Sequence, residues 1–294
     1  MDFFLAATLS GILVGGLYAL VALGFVLIFK ATGVLNFAQG ELVMLGGYIA
    51  WSLLVLAALP LWLGLLLTLV AGGILGLLVN RFFIRPLIAQ PVMSTIMMTI
   101  AVSAVLTGIT VLIWGSAFRS LPKFLPMGSI HLGEITLSQG HATEFVVALV
   151  AVGILSLFFY RTRRGLMMRS TAENDFISLS LGINVKGVIA MAWAISAGLS
   201  AIGGIALGSI SGVSLYLSTM GLMVLPVVIL GGLDSIAGAV IAGLLMGVLQ
   251  NLASLYLDPL VGGGMGEVFP FIVMTIVLII RPTGLFGSRR IERV

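Results

Sequence analysis

The chain has 294 residues, of which 60% are hydrophobic and 8% charged, with a formal net charge of +4 at pH 7. A soluble domain carries about 25% charged residues, so a water-soluble fold is excluded. Cysteine is absent, which excludes a disulfide framework and a thiolate metal site.

Apolar runs of roughly 20 residues, enough to cross the hydrocarbon as a helix, recur from end to end without the alternation of a membrane β-strand. They predict an all-α polytopic membrane protein with about eight to nine transmembrane helices, spanning 4–29, 38–57, 61–81, 94–115, 142–160, 187–210, 215–231, 236–256 and 266–280. The first run has no basic n-region and is far longer than a signal-peptide core, so it reads as a retained span.

The second begins inside "NFAQGELVMLGG", 36–47, where a glutamate, a glutamine, an asparagine and three glycines interrupt the hydrocarbon. After the third span, Arg81 and Arg85 read as interfacial anchors, with Pro86 ending the helix. A loop at 116–141 follows the fourth. It carries Arg119, Lys123, Glu134, His131 and His141, and reads as a surface segment; its histidines have no acidic or thiol cluster at metal spacing, so no metal site is expected.

In the loop at 161–186, Ser170 and Glu173 have the spacing of a capping box, and Gly182 stands at a helix stop. They predict a helix of about eleven residues with Ala172, Phe176 and Leu179 on one face and Glu173 and Asn174 elsewhere. On this pattern the helix is a connector on the membrane surface or a docking element. A second interruption, "GGLDSIAG" at 231–238, carries Asp234. The segments around 38–57 and 215–240 are glycine-rich and are expected to include broken or re-entrant pieces.

Placing the C-terminus inside puts Lys30, Arg81, Arg85, Arg161, Arg163, Arg164, Arg169, Lys186, Arg281, Arg289, Arg290 and Arg293 in the cytoplasm. These are twelve of the fourteen basic residues, which sets the N-terminus outside. No Gly-Lys dipeptide occurs, so there is no P-loop, and any use of ATP falls to another chain.

Interrupted segments in both halves of a transporter mark a solute path. Asn36, Gln39, Glu41 and Asp234 are therefore candidate path residues. The alternative for both acids is a place in the first turn of a helix, favoured by its dipole. The glycine pairs Gly15–Gly16, Gly72–Gly73 and Gly203–Gly204 read as helix-packing positions.

Five blocks in register resemble the permeases of branched-chain amino acid ABC importers: "GVLNFAQGELVMLGGYIA", "RPLIAQPVMSTIMMTIAVS", "RRGLMMRSTAENDFISLSLGINV", "VILGGLDSIAGAVIAGLLMG" and "RPTGLFG". The length is similar to the shorter, LivH-like member. The resemblance implies a single permease domain over 1–294, in the cytoplasmic membrane of a bacterium. It implies a second, LivM-like permease, two cytoplasmic ATPases that hold ATP and Mg, and an extracytoplasmic binding protein. This chain itself would bind no cofactor, catalyse nothing and contact no nucleic acid.

The third block, with Arg164, Gly165, Ser170, Ala172, Glu173, Asn174, Phe176, Leu179 and Gly182, would be the coupling helix docked on an ATPase. Arg119, Lys123 and Glu134 would meet the binding protein. The implied solute is leucine, isoleucine or valine, with urea, short amides and carboxylates as alternatives. A passive channel, an ion-coupled carrier and a membrane scaffold are the competing classes.

Overall fold

The computed structural model describes residues 2–88, 90–124, 128–132, 135–173 and 175–287. In chain order the elements are α1 (Asp2–Thr32), α2 (Gln39–Trp51), α3 (Leu61–Val79), α4 (Val92–Trp114), β1 (Ser129–Leu132), β2 (Ile135–Ser138), α5 (Gln139–Arg161) and α6 (Arg163–Glu173). There follow α7 (Asp175–Ser180), α8 (Val185–Ser211), α9 (Tyr216–Leu222), α10 (Leu225–Gly231), α11 (Ile236–Val261) and α12 (Met265–Ile280).

Among the described residues, seven helical stretches are long and apolar enough to cross a membrane: Phe3–Thr32, Gln39–Leu56, Leu61–Leu87, Val92–Trp114, Gln139–Arg161, Val185–Ser211 and Ile236–Val261. The protein is thus a multi-pass, almost wholly helical membrane protein. The second span is completed by a π-helical turn, Ser52–Leu56. The third runs on through a π turn, Asn80–Ile84, and a 3-10 turn, Arg85–Leu87, past the proline expected to stop it. Pro86 is tolerated at the start of that new turn, where its missing N–H would have had no partner.

Two of the nine expected crossings are shorter apolar helical segments outside these seven stretches. The segment 215–231 is split into α9 and α10, because Pro226 at the start of α10 lacks the N–H needed to continue a helix from α9. The segment 266–280 gives α12, a helix of 16 residues.

Two loops also depart from expectation. The segment 116–141 contains an antiparallel hairpin, with Ser129 opposite Ser138 and Ile130 opposite Leu137. The loop at 161–186 holds two helices, α6 and α7, where one was expected. Ser170 lies inside α6 and caps nothing. The cap is Thr162, whose Oγ1 accepts from the Gly165 amide at 3.0 Å, and the good helix formers Leu166, Met167, Met168 and Arg169 carry the helix on from there. The Ser170 hydroxyl lies 3.0 Å from that of Ser178, joining α6 to α7.

Gly182 is the helix stop expected of it. It sits in the left-handed region at φ 78°, its amide donates to Leu179 O and the next amide, Ile183, to Ser178 O. This is the Schellman pattern that closes a helix.

The chain forms two compact units. The first comprises Met1–Val26, Leu125–Val152 and Met223–Val294. Within it α1 and α11 meet backbone to backbone: a Cβ on Gly15 would lie 2.7 Å from Gly243 O, and one on Gly243 2.7 Å from Ala19 N. Small residues four apart on both helices allow that approach, and in hydrocarbon close packing of this kind replaces the hydrophobic effect as the force between helices. In the same unit the "RPTGLFG" block returns to α10, with Leu285 donating to Leu230 O at 2.8 Å and Phe286 to Gly231 O at 3.1 Å.

The second unit comprises Leu27–Phe124 and Gly153–Leu222. Its centre is α8, packed against α2 and α3, with α9 on α2. Gly72 and Gly76 of α3 face Ala197 and Trp193 of α8, and Gly46 of α2 faces Ala201, so closely that a Cβ at Gly46 would lie 2.5 Å from the Ala201 Cα.

Candidate functional site

The polar stretch 36–47 becomes the entry to α2, within the second unit. Gly33, at φ 69°, lets α1 end, and the chain re-enters a helix six residues later. Asn36 shapes that return: its Oδ1 accepts from the Ala38 amide at 3.0 Å, an Asx turn. Gln39, the first residue of α2, is the hub. Its Oε1 accepts from Asn36 Nδ2 at 3.0 Å and from the Ser196 hydroxyl at 3.2 Å, and its Nε2 donates to the Ser200 hydroxyl at 2.7 Å. Ser200 in turn donates to Ser196 O at 2.9 Å. On a further side, the Phe37 amide donates to Thr99 Oγ1 of α4 at 3.3 Å.

Asn36, Gln39, Ser196, Ser200 and Thr99 are all buried, Gln39 completely. Unpaired polar groups inside a membrane protein are costly. This hub is instead closed on itself, with each amide donor matched to a hydroxyl or amide acceptor.

Glu41 sits in the first turn of α2 and is 4% exposed. Ser103 of α4 lies beside its carboxyl, yet Oε2 has no hydrogen-bond partner among the described residues. The dipole of α2 favours an acid there, so the first-turn reading fits its place. It leaves one carboxylate oxygen unused in the interior.

Asp234 belongs to the other unit, in the turn between α10 and α11, and is half-buried. The next residue, Ser235, caps α11 by accepting from the Gly238 amide at 3.0 Å.

Reading the sequence found Asn36, Gln39 and Glu41 but not their partners. Ser196 and Ser200 are four apart on α8, and Thr95, Thr99 and Ser103 are spaced likewise on α4. Hydroxyls repeating at the helical period on an apolar span are the signal that was available.

The other predicted residues are placed as follows. Gly165 is buried against the Phe158 and Phe159 carbonyls, Arg164 and Glu173 are exposed, Ala172 is half-buried and Leu179 is 57% exposed. Arg169 holds α6 against the end of α5, its guanidinium 5.4 Å from the Tyr160 ring centroid. Asn174, Glu134 and the Phe176 side chain lie outside the described residues. Lys123 is exposed. Arg119 is half-buried: it donates to Trp114 O at 3.1 Å and stacks over Trp51 at 4.7 Å. A guanidinium gains more from an aromatic face and a carbonyl than from a bare apolar interface.

Apolar spans folded round a buried network of amides and hydroxyls are the build of a solute-translocating membrane protein, a permease. The chain belongs to the family described as branched-chain amino acid transport system, permease component, which matches residues 7–278. It is 31% identical to the high-affinity branched-chain amino acid transport system permease LivH of Salmonella typhimurium, covering 99% of this chain and 98% of that one. It is 30% identical to the permease BraD of Pseudomonas aeruginosa over the same shares. It is also 30% identical to the probable LivH of Methanocaldococcus jannaschii, covering 95% and 91%. Among solved structures, PsaBC from Streptococcus pneumoniae in complex with Fab aligns over 96% of this chain and 93% of that one, with a TM-score of 0.47 and 13% identity.

Proposed function

We propose that this chain is the LivH-like subunit of an ATP-driven importer, that its solute is a branched-chain amino acid, and that its two units work as one permease domain. The observation that carries this reading is the α2 hub: a buried, matched set of amides and hydroxyls beside one carboxylate, in a chain whose relatives are named for amino acid transport. Asn36, Gln39, Glu41 and Asp234 line the path in this reading. Glu41 supplies the field that a passing zwitterion meets where the dielectric is low.

The remaining parts follow from the same assignment. The chain lies in a bacterial cytoplasmic membrane with its basic loops inside and its N-terminus outside. It pairs with a LivM-like permease, and two ABC ATPases supply the ATP and Mg sites that it lacks. The helices α6 and α7 dock on one ATPase through exposed apolar side chains, among them Leu166 on α6 and Ile177 and Leu179 on α7. The exposed Lys123 meets the binding protein.

Uptake of leucine into liposomes holding the permease pair and binding protein is expected only when the ATPases and ATP are added. Equal uptake without them would overturn the importer reading in favour of a channel or carrier. ATP-driven uptake of urea or a short amide, but not leucine, would overturn the solute alone.

A further inference from the structure

Near the far end of α2 lies a second set of polar atoms without partners among the described residues, and these are donors. Tyr48 is completely buried, and its hydroxyl has no hydrogen-bond partner among the described residues. Its ring lies against Trp114, centroids 5.4 Å apart. Trp114 is itself fixed, because its Nε1 donates to the Ser52 hydroxyl at 2.7 Å, which donates to Tyr48 O at 2.9 Å.

Arg119 reaches the same place. Its backbone is pinned by two hydrogen bonds with Val213, at 2.9 and 2.7 Å. Its guanidinium lies over Trp51, and its Nε is buried with no partner among the described residues. Its guanidinium donates to Trp114 O at 3.1 Å, on the tryptophan whose ring lies against Tyr48. A buried guanidinium N–H on a half-buried arginine and a buried hydroxyl, both unused among the described residues and both walled by indoles, are costly unless something accepts from them. A carboxylate is the acceptor that matches a guanidinium and a phenol together.

We propose that Tyr48 and Arg119 form a carboxylate-binding station on the solute path, with Trp51 and Trp114 as its walls. The proposal rests on the amino acid import reading above and adds which end of the solute is held, and where. Glu41 and Tyr48 are seven residues apart, two turns of α2 or about 10 Å, and so share one face of the helix. That face offers an acceptor at one end and donors at the other. The charged groups of an α-amino acid are much closer together than that, so a zwitterion touches one station at a time and is held firmly by neither.

The test is binding of radiolabelled leucine to the assembled transporter in nanodiscs, without binding protein, so that selection upstream is not read. Two competitors separate the charges: 4-methylpentanoate keeps the carboxylate and loses the amine, and leucinamide keeps the amine and loses the carboxylate. The parent is expected to be displaced by the acid at least about tenfold more readily than by the amide. Tyr48→Phe and Arg119→Gln should each weaken leucine binding by about tenfold and bring the two competitors within about threefold of each other, while Arg119→Lys keeps the preference for the acid.

Equal displacement of the parent by acid and amide, or an unchanged preference in assembled Tyr48→Phe and Arg119→Gln, would overturn the station. ATP-driven leucine uptake by the same complex with binding protein separates the two readings. Uptake without a carboxylate preference rejects the station alone, and absence of uptake rejects the amino acid reading and the station with it.

Discussion

The two polar interruptions of this chain look alike as sequence, each a single acid among glycines, yet they fold differently. Residues 36–47 become the entry and first turns of a buried helix whose Gln39 amide is matched to two hydroxyls on α8 and to the Asn36 amide. Residues 231–238 become a tight turn between α10 and α11, held by its own backbone, by Ser235 and by the Phe286 amide, which donates to Gly231 O. At the first, the Gln39 side chain is held by two hydroxyls more than 150 positions away; at the second, the side-chain cap of Ser235 is met three residues on. An interruption in a hydrophobic run therefore marks where the backbone changes course, and only the location of its partners tells whether it is a hub or a turn.

The contrast is broken most severely by bulk. Gly46→Leu puts a side chain where a Cβ alone would already lie 2.5 Å from the Ala201 Cα, and neither helix backbone can yield. The expected cost is about 3 kcal/mol or more, seen as loss of monodisperse protein on size-exclusion chromatography. The same increase in size at Ala237, which is exposed in the other interruption, should leave the elution profile unchanged. Recovery of both variants in equal yield would mean that the α2–α8 contact is looser than described.

Next in size is removal of the hub. Gln39→Leu leaves Asn36 Nδ2, the Ser196 hydroxyl and Ser200 Oγ without their shared partner, at about 1–3 kcal/mol for each group left unsatisfied. A fall in the unfolding midpoint in detergent is expected, with a partial return when Ser196→Ala and Ser200→Ala are added, because removing both sides of a buried hydrogen bond costs less than removing one. The turn is more forgiving. Ser235→Ala removes one cap and should cost about 1 kcal/mol, measured the same way. A larger loss there than at Gln39 would reverse the comparison.

Spans, the acids within the polar interruptions and the stop at Gly182 were legible because each follows from a local rule. Hydrocarbon thickness sets span length, an ionisable group in lipid is costly wherever it falls, and glycine is the residue that turns left-handed without strain. What was not legible depends on competition or on distance. Ser170 and Glu173 have the right spacing for a cap but lost to Thr162, eight residues upstream, because the intervening residues favour helix. The hairpin at Ser129–Ser138 is built of four-residue strands, too short for alternation to stand out. Arg119 was read as a surface charge because nothing in its own loop announces that Trp51 and Trp114 lie beneath it. The partners of Gln39 were hidden for the same reason, being ordinary serines in an apolar helix until α8 is laid against α2.

The smallest expected effect on stability is the most informative about function. Glu41 takes no part in the Gln39 hub, so Glu41→Gln keeps the size of the side chain and breaks none of the hub's hydrogen bonds. Its unfolding midpoint should stay within about 1 kcal/mol of the parent. Uptake is another matter, because the carboxylate charge acts on whatever passes while the first turn of α2 needs only an acceptor or nothing. Loss of one charge interaction worth about 1.4 kcal/mol lowers uptake by about tenfold. Asp234→Asn should lower it less, since a half-buried group in a turn is partly screened by water and salt. The two measurements together decide the matter. A stable Glu41→Gln protein with impaired uptake marks a path residue. A destabilised one with normal uptake per folded molecule marks a structural acid serving the helix dipole, and the hub at 36–47 would then be a joint between helices rather than a station for solute.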